Sequence, residues 1–218
     1  MNTESNLAPA RWRGLLAATG VQAPFGAAAF FAILCGLAAR YWHLDFPGDF
    51  SFDEHHFVEN ARNYISGKAD WNDHPPFGKL TIAACIRLIG DTPVAWRLTS
   101  AVVGTATVLT AMELARRLFR GSGTAALLAG ALIAIDGFHV TYSRTALLDN
   151  QLTLFALAAV LAGTIAQSGA GWGVVGCLAG LAASVKFSGI AVALPLSFLF
   201  VSQKKSKRWL ACAALVGG

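Results

Sequence analysis

Residues 93–118 read PVAWRLTSAVVGTATVLTAMELARRL, and this stretch decides the fold class of the chain. It is apolar over most of its length and exceeds the roughly 20 residues that a helix needs to cross a bilayer. Arg116 and Arg117 close it, and Arg120 follows. Because arginines gather on the cytoplasmic side of such helices, the stretch predicts a transmembrane helix that ends in the cytoplasm.

The composition of the whole chain agrees with a membrane protein. Of the 218 residues, 55% are hydrophobic and 13% are charged, and the charged share is about half that of a soluble domain. The mean hydropathy is +0.54. The net charge of +5 does not indicate nucleic acid, because the basic residues stand in short clusters between apolar runs. We therefore predict an all-α polytopic protein whose partner is a lipid bilayer, and no nucleic-acid partner.

Six apolar runs have the length or the position of membrane spans. They cover residues 24–42, 93–118, 124–138, 148–166, 172–185 and 189–201, and a seventh begins at 209. A cleaved signal peptide is the alternative for the first run, because residues 37–39 (LAA) form a weak small-residue site. Residues 80–89 are shorter, which favours an interfacial or re-entrant segment. Because the seventh run is short, the chain is expected to be the front part of a larger protein.

The basic clusters give all six spans one orientation. Arg11 and Arg13, the arginines at 116–120 and the cluster at 204–208 all fall on the cytoplasmic side. The loop at 45–79, a turn predicted at 136–149, and Lys186 then lie on the outer face. The predicted organisation is one transmembrane domain, with a cytoplasmic N-terminus at 1–20, an outer loop at 45–79 and the remaining spans at 80–218.

The outer loop holds most of the ionisable side chains. Phe57, Ala61, Tyr64 and Ile65 recur at helical spacing, which predicts an amphipathic helix on the membrane surface. The adjacent histidines at 55–56 lack the ligand spacing of a metal site, and solvated surface histidines are the reading that the spacing favours. The four cysteines form no CxxC pair. We predict no metal ligands and no certain cofactor, and a divalent metal stays open.

The pair Asp53-Glu54 is the first candidate for catalysis. Two adjacent carboxylates near a membrane face can supply a general base and an orienting partner. The alternative is structural. Ser51 and Glu54 fit a capping box that opens the amphipathic helix, and Asp53 in the first turn would be stabilised by the helix dipole.

The segment His74-Pro75-Pro76-Phe77-Gly78-Lys79 is the second candidate. The two prolines forbid a helix and predict an extended turn, and Gly78 permits a close backbone approach. Lys79 then stands at the start of the next helix. The alternative is a rigid loop that only enters the bilayer.

Three cations near the outer face form the third group of candidates. Arg97, Arg144 and Lys186 could together bind a phosphate, and the alternative is snorkelling to lipid headgroups. Arg144 and Asp149 are five residues apart, about 140° around a helix. We therefore expect them not to pair with each other.

The order of these motifs resembles one family. The motifs are Asp53-Glu54, the HPPFGK segment at 74–79, Trp96-Arg97-Leu98 with Ser100-Ala101, SRTALLD at 143–149 and SVKFSG at 184–189. This series resembles the N-terminal membrane part of the protein O-mannosyltransferases, glycosyltransferase family 39, which belong to the C-type superfamily. Phe77 stands where the family often has leucine, and Phe187 stands where it often has tryptophan.

The resemblance implies a reaction. A sugar, mannose in the family, moves from a polyprenyl-phosphate carrier to a serine or threonine hydroxyl of an exported protein, with inversion. It implies that Asp53 is the general base and Glu54 orients a substrate. It also implies that Arg97, Arg144 and Lys186 hold the lipid phosphate, with His74, Lys79 and Asp149 as substrate-binding residues.

Other readings stay open at this point. A related C-type enzyme could place the sugar on a glycolipid or a cell-wall glycan, and an inactive truncated remnant or a transport or assembly module is a non-enzymatic alternative. The expected partners are the lipid donor, the acceptor protein and the bilayer, and a homo- or hetero-oligomer stays open. The absence of an N-glycosylation sequon in the outer loop favours a bacterial inner membrane, with the active site on the periplasmic side.

Overall fold

The computed structural model describes residues 23–69 and 73–203. The predictions for the N-terminus at 1–20, the basic cluster at 204–208 and the run from 209 lie outside the described residues. The described part of the chain contains helices and no strand, which confirms the all-α class.

Ten helical segments follow one another along the described chain. They are α1 (Ala23–Tyr41), α2 (Glu54–Ile65), α3 (Phe77–Ile89), α4 (Pro93–Leu118), α5 (Gly123–Ile135), α6 (Gly137–Ser143), α7 (Asp149–Ile165), α8 (Gly169–Val185), a 3₁₀ helix (Phe187–Val192) and α9 (193–203). The amphipathic helix forms where the sequence predicts it. The helix after the two prolines begins at Phe77, two residues before Lys79, and Pro76 has a helical rather than an extended conformation, so the predicted extended turn is shorter than expected.

Helix α4 matches the bounds predicted from the sequence. Thr92 caps it, since its side chain accepts a hydrogen bond from the Ala95 N–H at 3.3 Å, and Pro93 follows at the first helical position. Within the described residues, α4 is the one helix long and apolar enough to cross a membrane. Helices α5 and α6 would form a second span if the bent pair counts as one.

Helix α4 packs against α3, α5, α6 and α7, and α7 packs against α8. One apolar core joins α2, α3 and α4, a second joins α1, α4 and α5, and a third joins α7, α8 and α9. Large apolar side chains also lie on the outside, among them Phe30, Phe31, Leu109 and Leu132. Such a surface is unfavourable in water and agrees with a bilayer.

The chain between α5 and α7 differs from the prediction. The span expected to reach residue 138 ends at Ile135, and the expected turn contains α6. The two helices meet at 65°. The reason is local, because the Asp136 carboxylate accepts a hydrogen bond from the His139 N–H at 2.7 Å and so caps a new helix.

Gly78 makes the close approach that the sequence predicts. A Cβ atom at this position would lie 2.7 Å from Leu148 Cδ2 and 3.3 Å from Val185 Cγ1. Helix α3 therefore packs closely against the start of α7 and the end of α8, and this contact brings the segment at 74–79 beside both.

Candidate active site

Glu54 and Arg97 form a buried ion pair. Arg97 Nε and Nη2 each donate to one carboxylate oxygen at 2.8 Å. The side chains are 1% exposed for Arg97 and 0% for Glu54. The backbone N–H groups of Ala146 and Ser51 also donate to the carboxylate, both at 2.7 Å. The pair thus ties α2 to α4 and to the chain after α6.

The other donors of Arg97 bind the loop between α1 and α2. Nη1 donates to the carbonyl oxygens of Leu44 at 3.1 Å and Pro47 at 2.8 Å, and Nη2 donates to that of Asp49 at 3.0 Å. A guanidinium has five N–H donors, and these contacts with Glu54 and the loop use all five. In this arrangement Arg97 has no donor left for the lipid phosphate that the sequence assigned to it.

Asp53 has the opposite surroundings to Glu54. It lies immediately before α2, its side chain is exposed, and it makes no cap hydrogen bond. The Ser51 N–H bond to Glu54 is one half of the capping box considered from the sequence. The helix begins at Glu54 with Asp53 at the N-cap position, so Ser51 is not its cap. The bonds from Arg97 and Ala146 occupy the rest of the Glu54 carboxylate, and the Asp53 side chain makes no cap bond.

A polar cavity of about 210 Å³ opens beside Asp53. Seven residues line it: Asp53, His56, Phe57, Asn60, Asp73, His74 and Lys79. Three of these were predicted site residues, from two motifs more than twenty positions apart. The structure therefore brings Asp53 together with His74 and Lys79 of the HPPFGK segment at one cavity.

His74 and Lys79 line the cavity next to side chains of α2. The His74 ring lies 6.1 Å from the Phe57 ring, and Lys79 Nζ lies 5.6 Å from the Tyr64 ring centre. Burial is the largest cause that lowers the pKa of His74 below its usual value, and the charges of Lys186 and Lys79 lower it further. The lowered pKa favours the neutral imidazole, which can both donate and accept a hydrogen bond.

Lys186 and Asp149 pair with each other close to His74. Lys186 Nζ donates to Asp149 Oδ1 at 2.8 Å, and the side chains are 20% and 38% exposed. Lys186 lies in an extended position between α8 and the 3₁₀ helix, and Asp149 begins α7. The charge of Lys186 lowers the pKa of His74, and the charge of Asp149 raises it. Both residues therefore lie near the cavity.

Arg144 lies away from the polar cavity, against the end of α1. Its guanidinium donates to the carbonyl oxygens of Ala39, Trp42 and His43 at the end of α1. It also lines a separate, mostly apolar groove between α1 and α6. Arg144 and Asp149 thus have different partners, as the sequence predicted, and Arg144 is not brought to the polar cavity.

Several residues at the site were not predicted from the sequence. Asn60 and Asp73 line the cavity, and His56 was considered only as a metal ligand. The sequence did carry a signal for His56 and Asn60, because positions 53, 56 and 60 lie on one face of a helix. Arg40 was also missed. It is fully buried and donates to the carbonyl oxygens of Ala134 at 2.9 Å and Ile133 at 3.2 Å.

The side chains that could bind a metal ion were compared across the described chain. Among residues 23–69 and 73–203, no group of three or more His, Cys, Asp or Glu side chains is arranged to hold a metal ion.

The fold and the site define a helical protein with an apolar exterior and a polar cavity at one end of its helices. Two family models match the chain, both described as dolichyl-phosphate-mannose-protein mannosyltransferase, over residues 73–217 and 30–96. The chain belongs to this family. The matches together include every predicted site residue.

Three relatives illustrate the similarity. A polyprenol-phosphate-mannose–protein mannosyltransferase of Mycolicibacterium smegmatis is 37% identical over 143 residues, which are 60% of this chain and 28% of that protein. The Corynebacterium glutamicum protein of the same name is 36% identical over 51% of this chain and 24% of its own length. Dolichyl-phosphate-mannose–protein mannosyltransferase 4 of Schizosaccharomyces pombe is 32% identical over 56% of this chain and 18% of its own. The chain thus spans less than a third of these relatives.

Proposed function

We propose that the chain transfers mannose from a polyprenyl-phosphate carrier to serine or threonine hydroxyls of proteins. The observation that carries this proposal is the contrast between two adjacent carboxylates. Glu54 is buried and fully bonded, whereas Asp53 opens into the polar cavity. The names of the relatives support the donor and the kind of acceptor.

The proposed step is a single displacement with inversion. The acceptor hydroxyl oxygen forms a bond to the anomeric carbon of the sugar, and the bond from that carbon to the phosphate oxygen breaks. The phosphate leaves with the bonding electrons, and Asp53 takes the hydroxyl proton as general base. A carboxylate beside the sugar also favours the positive charge of an oxocarbenium-like transition state.

The other predicted residues take roles that suit their surroundings. Lys186, held by Asp149, is the proposed ligand of the departing phosphate, and Lys79 adds positive charge at the same side of the cavity. Glu54 and Arg97 act as positioning residues that fix the loop carrying Asp53. Arg144 holds the end of α1 rather than the phosphate.

The proposed membrane arrangement follows from the charge distribution. Arg97 and Arg116 lie near opposite ends of α4, about 28 Å apart at 1.5 Å per residue, close to the roughly 30 Å of a hydrocarbon core. We place the cavity at the outer face of a bacterial inner membrane, with six spans and the architecture of the C-type glycosyltransferases. The short helices α1, α7, α8 and α9 then cross the bilayer beside α4.

The test is sugar transfer by the chain in membranes. Wild type and Asp53→Asn receive radiolabelled polyprenyl-phosphate-mannose with a Ser/Thr-rich peptide or, separately, a glycolipid acceptor. We expect label on the peptide with wild type and a loss of about 100-fold or more with Asp53→Asn. Label on the glycolipid alone would show that the acceptor is a glycolipid and not a protein. No label from inserted, folded protein would contradict the proposed activity.

A further inference from the structure

Phe52, directly before Asp53, has a backbone conformation that its side chain disfavours. Residues 51–54 form a turn, which is closed by a hydrogen bond from the Glu54 N–H to the Ser51 carbonyl oxygen at 3.2 Å. Phe52 has a φ of +53°, in the left-handed region where glycine and asparagine are the usual residues. A bulky side chain makes this conformation unfavourable. Because such strain gathers at functional sites, the ring at this position requires a reason.

The ring of Phe52 does not stabilise the start of α2. A hydrophobic residue in front of a helix cap commonly packs against the first turn, at the position that Phe57 occupies here. Phe52 is instead 76% exposed, and Phe57 packs beside the His74 ring and against the apolar core of α2, α3 and α4. Packing within the described chain therefore does not account for an aromatic side chain at position 52.

The backbone that carries Phe52 is held in place on both sides. The Ser51 N–H donates to the buried Glu54 carboxylate at 2.7 Å, and Nδ1 of His55 lies 3.3 Å from the Phe52 carbonyl oxygen. Earlier in the same loop, the Arg97 guanidinium binds three carbonyl oxygens. The loop therefore presents the exposed ring at a fixed place.

Phe52 stands outside the polar cavity, whereas Asp53 lines it. In the proposed reaction, a serine or threonine hydroxyl comes within about 3 Å of the Asp53 carboxylate. The Cα atoms of two adjacent residues are about 3.8 Å apart, and an extended acceptor chain advances about 3.3 Å per residue. Acceptor residues one or two positions from the hydroxyl therefore come within reach of the Phe52 ring.

The surroundings of this ring favour an apolar acceptor residue over an acidic one. An apolar side chain that packs on the ring removes apolar surface of both from water. The exposed aspartates of the same loop, Asp45, Asp49 and Asp53, would repel an acidic residue brought to the same place.

We propose that Phe52 is an acceptor-binding residue, whose ring contacts an apolar side chain within two positions of the target serine or threonine. It selects protein segments in which the hydroxyl residue has apolar neighbours. The inference rests on the proposed function, since it assumes that a protein acceptor reaches Asp53.

The experiment measures the binding of two fluorescent peptides to the chain in lipid nanodiscs, with binding to empty nanodiscs subtracted. Each peptide carries one threonine, which is flanked on both sides by leucines in the first peptide and by glutamines in the second. A contact that buries about 55 Å² of apolar surface changes affinity by about 10-fold. We expect wild type to bind the leucine peptide about 10-fold more tightly than the glutamine peptide, and Phe52→Ala to bind both about equally.

Phe46→Ala is the matched control, because it removes a ring that is 73% exposed from the same loop, at a position without a left-handed φ. This variant should keep the preference for the leucine peptide. Phe52→Gly removes the ring and relieves the strained φ. It should lose the preference while its melting temperature stays at or above that of wild type, a combination that damage to the fold would not give.

Equal binding of the two peptides by wild type would overturn the proposal, as would a preference that survives Phe52→Ala. The same loss in Phe46→Ala would overturn it in favour of aromatic rings that anchor the loop to the bilayer. A lower melting temperature in Phe52→Gly would contradict strain at this position. Failure of the proposed function has a different signature: the leucine preference would depend on Phe52, yet neither peptide would receive label from polyprenyl-phosphate-mannose.

Discussion

At the scale of single residues, the chain gives two adjacent carboxylates different surroundings. The carboxylate of Glu54 accepts four hydrogen bonds in a buried position, two from Arg97 and two from backbone N–H groups. Asp53 remains open to the cavity. A pair that looks uniform in the sequence therefore divides into a residue that holds the fold and a residue that can react.

The Glu54–Arg97 pair should be more important for stability than any exposed pair. Removing one partner leaves a buried charge without compensation, which costs about 3–5 kcal/mol. We expect Glu54→Gln to lower the free energy of unfolding in detergent by this order and to abolish transfer. Arg62→Gln, which breaks a half-exposed pair with Asp91, should cost about 1 kcal/mol or less. Equal losses in the free energy of unfolding for the two variants would contradict the larger contribution of the buried pair.

The lowered pKa of His74 predicts a dependence of stability on pH. The unfolded chain binds the His74 proton more readily than the folded chain does, so stability is full above the unfolded pKa of about 6.5. Stability decreases as the pH falls below that value, because the proton places a positive charge on a partly buried ring and near Lys186 and Lys79. We expect the melting temperature to fall between pH 7.5 and 5, and less so in His74→Gln. Parallel curves for the two proteins would contradict this.

At the scale of elements, α1 and α5 lock together through Gly36 and Arg40. A Cβ atom on Gly36 would collide with the backbone of Ala134, and Arg40 binds the carbonyl oxygens of Ile133 and Ala134 just before the bend. Arg144, after α6, in turn binds the end of α1. These contacts fix the bent pair α5–α6 and with it the Ala146 N–H group on Glu54.

Gly36→Ala tests this packing. Overpacking against a backbone that cannot move aside costs about 1–3 kcal/mol, so we expect a lower melting temperature. Gly176→Ala is the matched control, since its Cβ meets nothing within 4 Å and alanine favours a helix by about 0.5–1 kcal/mol. Equal melting temperatures for Gly36→Ala and Gly176→Ala would contradict the close packing of α1 on α5.

The elements also show what the sequence could predict. The bounds of α4 followed from Pro93 at the start and arginines at the end, and α3 followed from two prolines, because these signals are local. A turn was predicted over 136–149, but α6 inside it was missed because the capping of His139 N–H by Asp136 was not recognised. The Glu54–Arg97 pair had no signal, since the partners are 43 positions apart and only the packing of α2 on α4 joins them. Asn60 was missed although its helical spacing from Asp53 was visible.

At the scale of the whole molecule, the proposed chain has one orientation in the membrane. Residue 66, at the end of α2, should lie outside, and residue 122, between α4 and α5, should lie in the cytoplasm. In a chain whose native cysteines are replaced by alanine, we expect Ser66→Cys to react with an impermeant thiol reagent in intact cells. Ser122→Cys should react only after the membrane is permeabilised. The reverse pattern would contradict the proposed orientation.

The most direct measurement is transfer of labelled mannose to a Ser/Thr-rich peptide by wild type, Asp53→Asn and Asp49→Asn in the same membranes. Asp49 lies four residues earlier in the same loop and contributes its backbone carbonyl to Arg97, so its substitution keeps that contact. The account predicts transfer by wild type and Asp49→Asn, and a loss of about 100-fold or more in Asp53→Asn. Full transfer by a folded Asp53→Asn protein would contradict it.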